Sequence, residues 1–386
     1  MTQNRTKQGE PSSSPSISSI YYTTETTASC ACTTPLTGTV GGAPEPSPPP
    51  SLLSQAAGDQ ASFTSTWLTP ATTEDLDGDD DDYDDTNFVF ENGRRYHAPA
   101  SGRVMYPLPN DESEQERDDM KHKLALWMMH EKLFYAPVED TLKHGGMVFD
   151  LDNAVAQKYG KSQVFGCDLS PIQPAYVWDN VFFSAGDFEE DWTDYPENAF
   201  DYIHMRYTAF SIKDPTALLQ RVMKHLKPGG YVEFQEMTYW PRADDATLTD
   251  TTPYAFRDLC YYVQHGLANL GLDLHMIGRL PGELRGAGYD DITEVRHKLP
   301  IGRWAKDRRQ RQKGIWFLRM ILMEGLSAIA KRPLSQGLGW KEAQIEMFLV
   351  DVRKSLNDSS VHAYFPFTIV YGRKPLDGGA SASAAR

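Results

Sequence analysis

The sequence contains few cysteines, and they are not arranged to form a disulfide framework or a zinc site. Four occur in 386 residues, at positions 30, 32, 167 and 260, and no CxxC pair is present. Disulfide-stapled secreted domains and structural zinc sites need several cysteines at short, regular spacings. This scarcity argues against both classes and fits a reducing compartment, and the sequence shows no metal requirement.

Long hydrophobic runs are also missing. No stretch approaches the roughly 18 consecutive apolar residues of a membrane-spanning helix. The first residues, MTQNRTKQGEPSSSPS, lack the apolar core of a signal peptide. We therefore expect a protein without membrane association, in the cytoplasm or the nucleus and not secreted.

Positive charge is in short supply. The chain has 38 Lys and Arg against 53 Asp and Glu, a net charge of -15, which argues against direct binding of nucleic acid or acidic membrane surfaces. Nine of the acids lie between Glu74 and Asp85, without a base among them. The rest of the chain is therefore closer to neutral than the total suggests.

Residues 1–86 are rich in Ser, Thr, Pro and Gly and end in the acidic run EDLDGDDDDYDD. Such a segment cannot bury enough apolar surface to offset the entropy of ordering it, so we predict that it is disordered. The acidic run is either a solvated linker, which we favour, or an interaction tail. The last residues, 377–386, are predicted to be flexible.

Residues 87–376 have the composition of a folded domain, and their centre, 145–240, alternates between strands and helices. We predict strands at 147–151, 163–167, 181–183, 200–205 and 231–237, with helices at 153–159 and 215–226 and the sequence KPGG ending the second helix. Alternation of this kind predicts an α/β fold with a mostly parallel sheet and right-handed crossovers.

Helical segments flank this centre. Within an N-terminal extension, 87–136, Asn110 and Asp111 supply helix-capping side chains, which predicts a helix of about 20 residues that ends before Pro137. Helical patterns follow the centre at 250–290 and 305–356, and a strand, DITEVRHKLPIG, lies between them. A last strand is predicted at 362–374.

Two acids follow strands of the predicted sheet. Asp168 ends the second strand, where a carboxylate can accept both hydroxyls of a ribose, although a turn or helix-cap role is equally open. Asp187 follows the third strand and is either a partner for an adenine amino group or an exposed loop acid. The aromatic residues Phe188 and Trp192 would flank a flat ring or belong to the core.

Further candidates lie at the ends of later strands. His204 and Tyr207, in DYIHMRY, fit a general base or positioning group, although a lone histidine there is more often structural. Glu236 is similarly ambiguous. The basic run KDRRQRQK, Lys306–Lys313, is a nuclear address or, as we favour, a solvated helix face. No P-loop, HExxH motif or Ser/His/Asp order is present.

Several of these motifs together resemble one known family. ENGRRYHA, LPNDESEQERDDMKHKL, GCDLSPIQP, YPENAFDYIHMR and HLKPGGYVEFQE are similar to segments of fungal LaeA-like, S-adenosylmethionine-dependent methyltransferases, and the likeness covers about residues 88–376. It implies a class I methyltransferase (Rossmann-like) sheet of seven strands, the last antiparallel. It also implies S-adenosylmethionine as cofactor and, as acceptor, a small molecule or modified peptide of secondary metabolism.

The resemblance assigns roles to individual residues. Asp168, followed by Leu169, would hold the ribose, and Asp187 and Phe188 would border the adenine. Asp150 would lie beside the methionine moiety. His204 and Met205 would line the passage between donor and acceptor, with His204 as the leading candidate for a catalytic base. The helices within 250–290 and 305–356 would build the acceptor pocket.

The sequence departs from the family at the cofactor loop. Relatives follow the first strand with a turn of the type Gly-x-Gly-x-Gly, whereas here VFDL joins DNAVAQKYG directly. Either a gene-model or splicing error removed about eight residues, which the clean match of both flanks favours, or the chain is a true variant with weakened cofactor binding. Two functions stand beside methyl transfer: a nuclear regulator acting through partner proteins, which the acidic, Ser/Pro-rich tail and KDRRQRQK favour, and a pseudoenzyme, which follows from the missing loop.

Insertion of a Gly-x-Gly-x-Gly turn behind Leu151 should strengthen binding of S-adenosylhomocysteine by at least about 10-fold, since hydrogen bonds to a charged group are worth roughly 1.5–3 kcal/mol. Isothermal titration calorimetry measures the change. An Ala-x-Ala-x-Ala insertion of equal length is the control, because its Cβ atoms block close backbone approach. Equal affinity of all three chains would contradict the prediction.

Overall fold

The computed structural model describes residues 88–91, 93–98, 106–150, 153–170, 172 and 178–376. All of them belong to the unit Thr64–Arg386. The predictions of disorder for 1–86 and of flexibility for 377–386 lie outside the described residues, as does the junction Leu151–Asp152. In helix 153–158 the side chains of the first two residues are likewise not described.

A seven-stranded sheet forms the centre of the fold. Its strands, in chain order, are β3 (Met147–Phe149), β4 (Gln163–Asp168), β5 (Val181–Ala185), β6 (Phe200–Arg206), β7 (Leu226–Met237), β8 (Asp290–Pro300) and β9 (Tyr364–Arg373). The order across the sheet is β5-β4-β3-β6-β7-β9-β8. β9 is antiparallel to both of its neighbours, and the other pairs are parallel. This confirms the class I methyltransferase sheet that the resemblance implies.

The strand order reverses at β3, which lies between β4 and β6. In open α/β sheets the ligand crevice forms outside the carboxyl ends of the strands at such a switch point. We therefore expect a ligand site among the residues that follow β3, β4 and β6.

A two-stranded hairpin precedes the first helix. β1 (Phe88–Glu91) and β2 (Arg94–His97) pair antiparallel, and Gly93 takes a positive φ of 72° in the turn. The sequence analysis did not predict this hairpin, although an Asn-Gly pair between strands is a known hairpin signal. α1 (Glu112–Met128) then begins at Asp111, whose Oδ1 accepts a hydrogen bond from the Glu114 N–H at 3.1 Å.

α1 spans 17 residues and ends before Pro137, as predicted. The helix ends at Met128, and His130 and Glu131 take positive φ angles of 56° and 62°, which a right-handed helix does not accommodate. The segment that follows instead crosses to β7. There the N–H groups of Tyr135 and Ala136 donate to the carboxylate of Glu233 at 2.9 and 2.7 Å.

The remaining helices connect the strands or follow them. They are α2 (Glu139–His144), α3 (Asn153–Lys158), α4 (Pro215–His225), α5 (Ala255–Asn269), α6 (Leu280–Gly286), α7 (Arg308–Trp316), α8 (Glu324–Arg332) and α9 (Glu342–Asn357). π-helical turns at Phe317–Met323 and Pro333–Gly337 follow α7 and α8. The predicted helical segments at 250–290 and 305–356 thus contain α5, α6 and α7 to α9.

The prediction that KPGG caps α4 is wrong. α4 ends at His225, the next residue is already extended, and KPGG lies inside β7. The register between β6 and β7 shifts at this point, and Gly229 takes a φ of 81°. A Cβ on Gly230 would lie 3.0 Å from the backbone oxygen of Asp201. The glycines therefore serve an irregularity in the strand and not a helix end.

The core has three parts. One cluster covers the sheet face that carries Phe149 and Met205, and a second covers the opposite face, which carries Val148 and Tyr202. A third, larger cluster joins α1, α5 and α7 to α9 around the carboxyl end of β7. The helical segments therefore pack over the edge of the sheet where the class of fold places its ligands.

Candidate functional site

The carboxyl ends of four parallel strands bring ionisable side chains to one edge of the sheet. Asp150 directly follows β3, Asp168 ends β4, Tyr207 follows β6, and Glu236 lies near the end of β7. Each acid is wholly or partly buried, so each needs a partner to offset the cost of removing its charge from water. The partner that each one finds determines what it can do.

Asp150 is bound to His204. β3 and β6 pair with Val148 opposite Tyr202, and continuing that register places Asp150 opposite His204. The Nδ1 atom of His204 lies 2.8 Å from Oδ1 of Asp150, and both side chains are almost completely buried. The imidazole also stacks on the Tyr202 ring, with centroids 5.9 Å apart. The sequence analysis named both residues but did not foresee this contact.

The carboxylate controls the charge of the imidazole. Burial alone lowers the pKa of His204, but the charge and hydrogen bond of Asp150 outweigh it, so the pKa is raised. Its other nitrogen, Nε2, is shielded from solvent and has no hydrogen-bond partner. His204 is thus held as a buried, positioned group whose Nε2 atom makes no hydrogen bond to the described residues.

Asp168 occupies a tight turn at the end of β4. Its Oδ1 accepts the N–H of Ser170 at 3.0 Å, and burial raises its pKa to about 6 against the opposing effect of that hydrogen bond. The negative charge of Asp118, on α1, also raises the pKa of Asp168. Leu169, beside it, is 42% exposed. The turn role considered for Asp168 is thus present, and its carboxylate retains acceptor capacity beyond the Ser170 bond.

The hairpin packs against this turn. Nδ1 of His97, on β2, lies 2.6 Å from Oγ of Ser170, and Nδ2 of Asn110 lies 3.3 Å from the same His97 nitrogen. Burial, followed by the charges of Arg332 and Arg95, lowers the pKa of His97 to about 4, so its imidazole is neutral at physiological pH. The sequence analysis missed His97, because nothing local marks a contact across 73 residues.

The predicted adenine side lies on the loop after β5. Oδ1 of Asp187 accepts the N–H of Glu189 at 2.9 Å, and Nζ of Lys213 is 3.8 Å from its Oδ2. Phe188 is partly buried against the core. Trp192 belongs to the core, where it stacks on Phe149 at 4.5 Å. Asp187 and Phe188 are therefore near the sheet edge, whereas Trp192 is structural.

Met205 is separated from Asp150 and His204, which lie on the other face of the sheet. It is 6% exposed and packs in the cluster that contains Phe149 and Phe234, on the face of β6 opposite to His204. Neighbouring residues of a strand point to opposite faces, so His204 and Met205 cannot line the same surface. The structure thus joins Asp150 and His204 and places Met205 in the core.

A second cluster surrounds Glu236. Its carboxylate accepts hydrogen bonds from the Met237 N–H at 2.8 Å, the Ala209 N–H at 3.2 Å and the Tyr239 hydroxyl at 3.2 Å. Burial raises the pKa of Glu236 to about 7. Tyr207 takes a left-handed φ of 56°, which is uncommon outside glycine and directs its ring toward α1. There its hydroxyl donates to the Lys121 carbonyl at 3.3 Å.

An apolar cavity adjoins this cluster. Its volume is about 80 Å³, and α1, α5, the α7–α8 region and the ends of β7 and β9 enclose it. The apolar lining includes Met237, Phe256, Leu259, Val263, Phe317 and Phe365. The polar lining residues are Arg117, Lys121, Tyr207 and Tyr239. The two cations are paired with acids of their own helix, Arg117 with Glu114 and Lys121 with Asp118.

Two negative findings concern the part of the chain that the structure describes. Within it, no three His, Cys, Asp or Glu side chains are grouped closely enough to hold a metal ion. No helix among the same residues is long and apolar enough to cross a membrane.

Comparisons with known proteins agree on one class. The family model described as "Methyltransferase domain" matches residues 148–273. The chain is 33% identical to "Methyltransferase pytC" of Aspergillus terreus over 300 residues, which cover 75% of this chain and 88% of that protein. It is 32% identical to "Secondary metabolism regulator laeA" of Aspergillus niger, covering 76% and 78%. It is also 32% identical to "Protein-methionine methyltransferase laeA" of Emericella nidulans, covering 75% and 77%.

Solved structures resemble the chain only distantly. The [4+2]-cyclase SpnF aligns with a TM-score of 0.38 at 15% identity, over 72% of this chain and 90% of that one. A putative sarcosine dimethylglycine methyltransferase from Galdieria sulphuraria aligns with a TM-score of 0.39 at 13% identity, over 71% and 95%. The fold assignment does not depend on them, because it follows from the strand order.

Asp150→Asn should destabilise the protein by roughly 3 kcal/mol at about pH 6, the cost of breaking a buried pair. The loss of unfolding free energy caused by Asp150→Asn should be smaller at about pH 9. The raised pKa of His204 adds stability that is complete below the unfolded value near 6.5 and disappears as the pH rises through the folded value. Urea unfolding at the two pH values measures this.

Asp187→Asn is the matched control for that experiment, since Asp187 is an acid near the same edge that is only partly buried. It should cost less than about 1 kcal/mol at either pH. Equal, pH-independent losses in the two variants would show that the Asp150–His204 pair contributes nothing particular.

Proposed function

Because the chain belongs to the LaeA-like family of S-adenosylmethionine-dependent methyltransferases of fungal secondary metabolism, we propose that it methylates a small molecule or modified peptide bound in the apolar cavity. One observation carries the proposal. The sheet edge has a carboxylate suited to a nucleoside at the end of β4, and the cavity lies beside the ends of β6 and β7. Donor and acceptor would thus meet over β3 and β6.

The residues after β4 and β5 suit the nucleoside half of S-adenosylmethionine. A ribose diol needs a carboxylate with acceptor capacity and no bulky side chain in front of it. We assign Asp168 to the ribose, with the exposed Leu169 beside the ring, and Asp187 and Phe188 to the adenine. The partial burial of Asp168 supports this assignment, because a charge-assisted hydrogen bond is stronger where water is scarce.

The residues after β3 suit the methionine half less well. No glycine lies between Phe149 and Gly160, so close approach of the backbone to a ligand meets Cβ atoms. We assign Asp150 and His204 to this end as a buried pair that holds the ends of β3 and β6 together. Met205 would act only from within the core, by supporting β6.

When bound, the cofactor supplies a strongly electrophilic methyl group. The task of the chain is then to hold the acceptor atom in line and to exclude water. The helices of the segments 250–290 and 305–356 suit that task, because α5 and the α7–α8 region supply most of the apolar lining of the cavity. An acceptor with an apolar body and one polar reacting group fits this lining.

A regulatory role through partner proteins is the second candidate. Its support is the name of the regulator relatives and the basic run, in which Lys306, Arg308, Arg309 and Arg311 are exposed. The buried Lys313 belongs instead to the helix packing. We place the protein in the cytoplasm or the nucleus. The cavity favours the enzyme, since a scaffold needs no apolar pocket beside its strand ends.

The two candidates separate in one labelling experiment. The purified chain is incubated with S-adenosylmethionine carrying a labelled methyl group and with an extract of the fungal culture. Label in the small-molecule or peptide fraction supports the proposal, and label confined to large proteins supports the regulator. No transferred label, together with no binding of S-adenosylhomocysteine, identifies a pseudoenzyme.

The affinity for S-adenosylhomocysteine should fall about 10-fold between about pH 8 and pH 5. Asp168 accepts ribose hydroxyls as a carboxylate, and with a pKa of about 6 most of it is protonated one unit lower. Calorimetry across this range measures the dissociation constant. Asp168→Asn should bind at least about 10-fold more weakly at about pH 8 and lose the pH dependence. A variant that keeps the wild-type profile would remove Asp168 from the site.

A further inference from the structure

Glu236 is a buried acid, 1% exposed, that makes no salt bridge in the described part of the chain. The charge of Lys121 acts on it from a distance and lowers its pKa, against the larger effect of burial. Two of its three hydrogen bonds come from backbone N–H groups, those of Met237 and Ala209. The third comes from a side chain, the Tyr239 hydroxyl at 3.2 Å. Of these three hydrogen bonds to the Glu236 carboxylate, the one from Tyr239 is therefore the one that comes from a side chain.

Tyr239 connects the acid to the cavity. Its ring lines the cavity, whereas Glu236 does not. The hydroxyl donates its proton to Glu236, so the lone pairs of the phenol oxygen remain to accept a proton from a molecule in the cavity. Tyr207 also lines the cavity, but its hydroxyl is turned away toward the Lys121 carbonyl.

The charges around the pair come from α1 and from the strand ends. Lys121 and Arg117 face it from α1, each paired with an acid of that helix, and Tyr207 faces it from the end of β6. The side of the cavity formed by α5 and the α7–α8 region contributes apolar residues such as Phe256, Leu259 and Phe317. A proton moved to Glu236 is thus not drawn to a competing base in the lining.

We propose that Tyr239 and Glu236 form a proton relay that deprotonates a phenolic or enolic hydroxyl of the acceptor in the cavity. This inference rests on the proposed function, whose acceptor it narrows to an O-nucleophile. Tyr239 touches the acceptor and is the catalytic residue. Glu236 acts through Tyr239 as the terminal proton acceptor.

The step balances as follows. The acceptor hydroxyl gives its proton to the Tyr239 oxygen while the Tyr239 proton moves to Glu236. The acceptor oxygen forms the new O–C bond with the methyl carbon, and the S–C bond breaks with its electron pair going to sulfur. Glu236 ends protonated and returns the proton to solvent after the product leaves. Burial raises the pKa of Glu236 to about 7, which matches an acidic phenol or enol better than an aliphatic alcohol.

The test uses 4-nitrophenol, whose ionised form has its own absorbance band. The full-length chain is titrated with the probe between about pH 5 and pH 9 without cofactor. With the wild type, the phenolate band of the bound probe should appear near neutral pH. In the Glu236→Gln and Tyr239→Phe variants, the phenolate band should appear at a pH at least about one unit higher. The reason is that an apolar cavity without a proton acceptor favours the neutral probe.

Tyr254→Phe is the matched control. Tyr254 is a buried tyrosine of the same helical cluster, but it neither lines the cavity nor contacts Glu236. It should leave the band unchanged, and thermal unfolding verifies that each variant is folded. If Glu236→Gln does not fold, Tyr239→Phe alone decides, since it removes one oxygen and keeps the ring.

The outcomes also separate the relay from the proposed function. The relay is supported if the phenolate band appears at a higher pH in both variants than in the wild type. If S-adenosylhomocysteine fails to bind in a parallel titration, that result contradicts only the cofactor assignment. Identical bands in the wild type and Tyr239→Phe overturn the relay even where the cofactor binds. Absence of probe binding to the wild type also overturns it, because the cavity then takes no hydroxyl acceptor of this kind.

Discussion

The structure depends on how the acids at the carboxyl edge of the sheet are neutralised. Parallel strands end on the same side, so Asp150, Asp168 and Glu236 are brought to one partly dehydrated edge. Asp150 meets an imidazole, Asp168 a backbone N–H, and Glu236 two backbone N–H groups and a tyrosine hydroxyl. Because a buried charge is costly, these partners both permit the fold and set the chemistry that each acid can perform.

The carboxyl edge of the sheet has two outer regions, at β4–β5 and at β6–β7, with the Asp150–His204 pair between them. The β4 and β5 side carries Asp168 and Asp187, and the β6 and β7 side adjoins the apolar cavity. Asp150 and His204 lie between them on β3 and β6, the two strands at the switch point. Between Phe149 and Gly160 the sequence has no glycine, so the glycine-rich turn that the resemblance implies is missing at this middle position.

The helices around the sheet supply most of the lining of the cavity. α1 supplies Arg117 and Lys121, and α5 with the α7–α8 region supplies an apolar wall. The β1–β2 hairpin packs against the turn after β4, where His97 contacts Ser170 beside Asp168. Relatives named as a methyltransferase and as a regulator are 33% and 32% identical to this chain over 300 and 302 residues.

The sequence alone determined the order of strands and helices from 145 to 374 and the start of α1 at Asp111, because hydrophobic periodicity and capping are local. It placed Asp168 and Asp187 at strand ends for the same reason. It did not determine the strand character of KPGG or the hairpin, where tertiary packing overrides local preference. Only the tertiary structure joined Asp150 to His204 and His97 to Ser170, and placed Tyr239, three residues from Glu236, in the lining of the cavity. The contact between Asp150 and His204 depends on strand register and on which face each side chain takes, and a shift of one residue in a strand reverses that face.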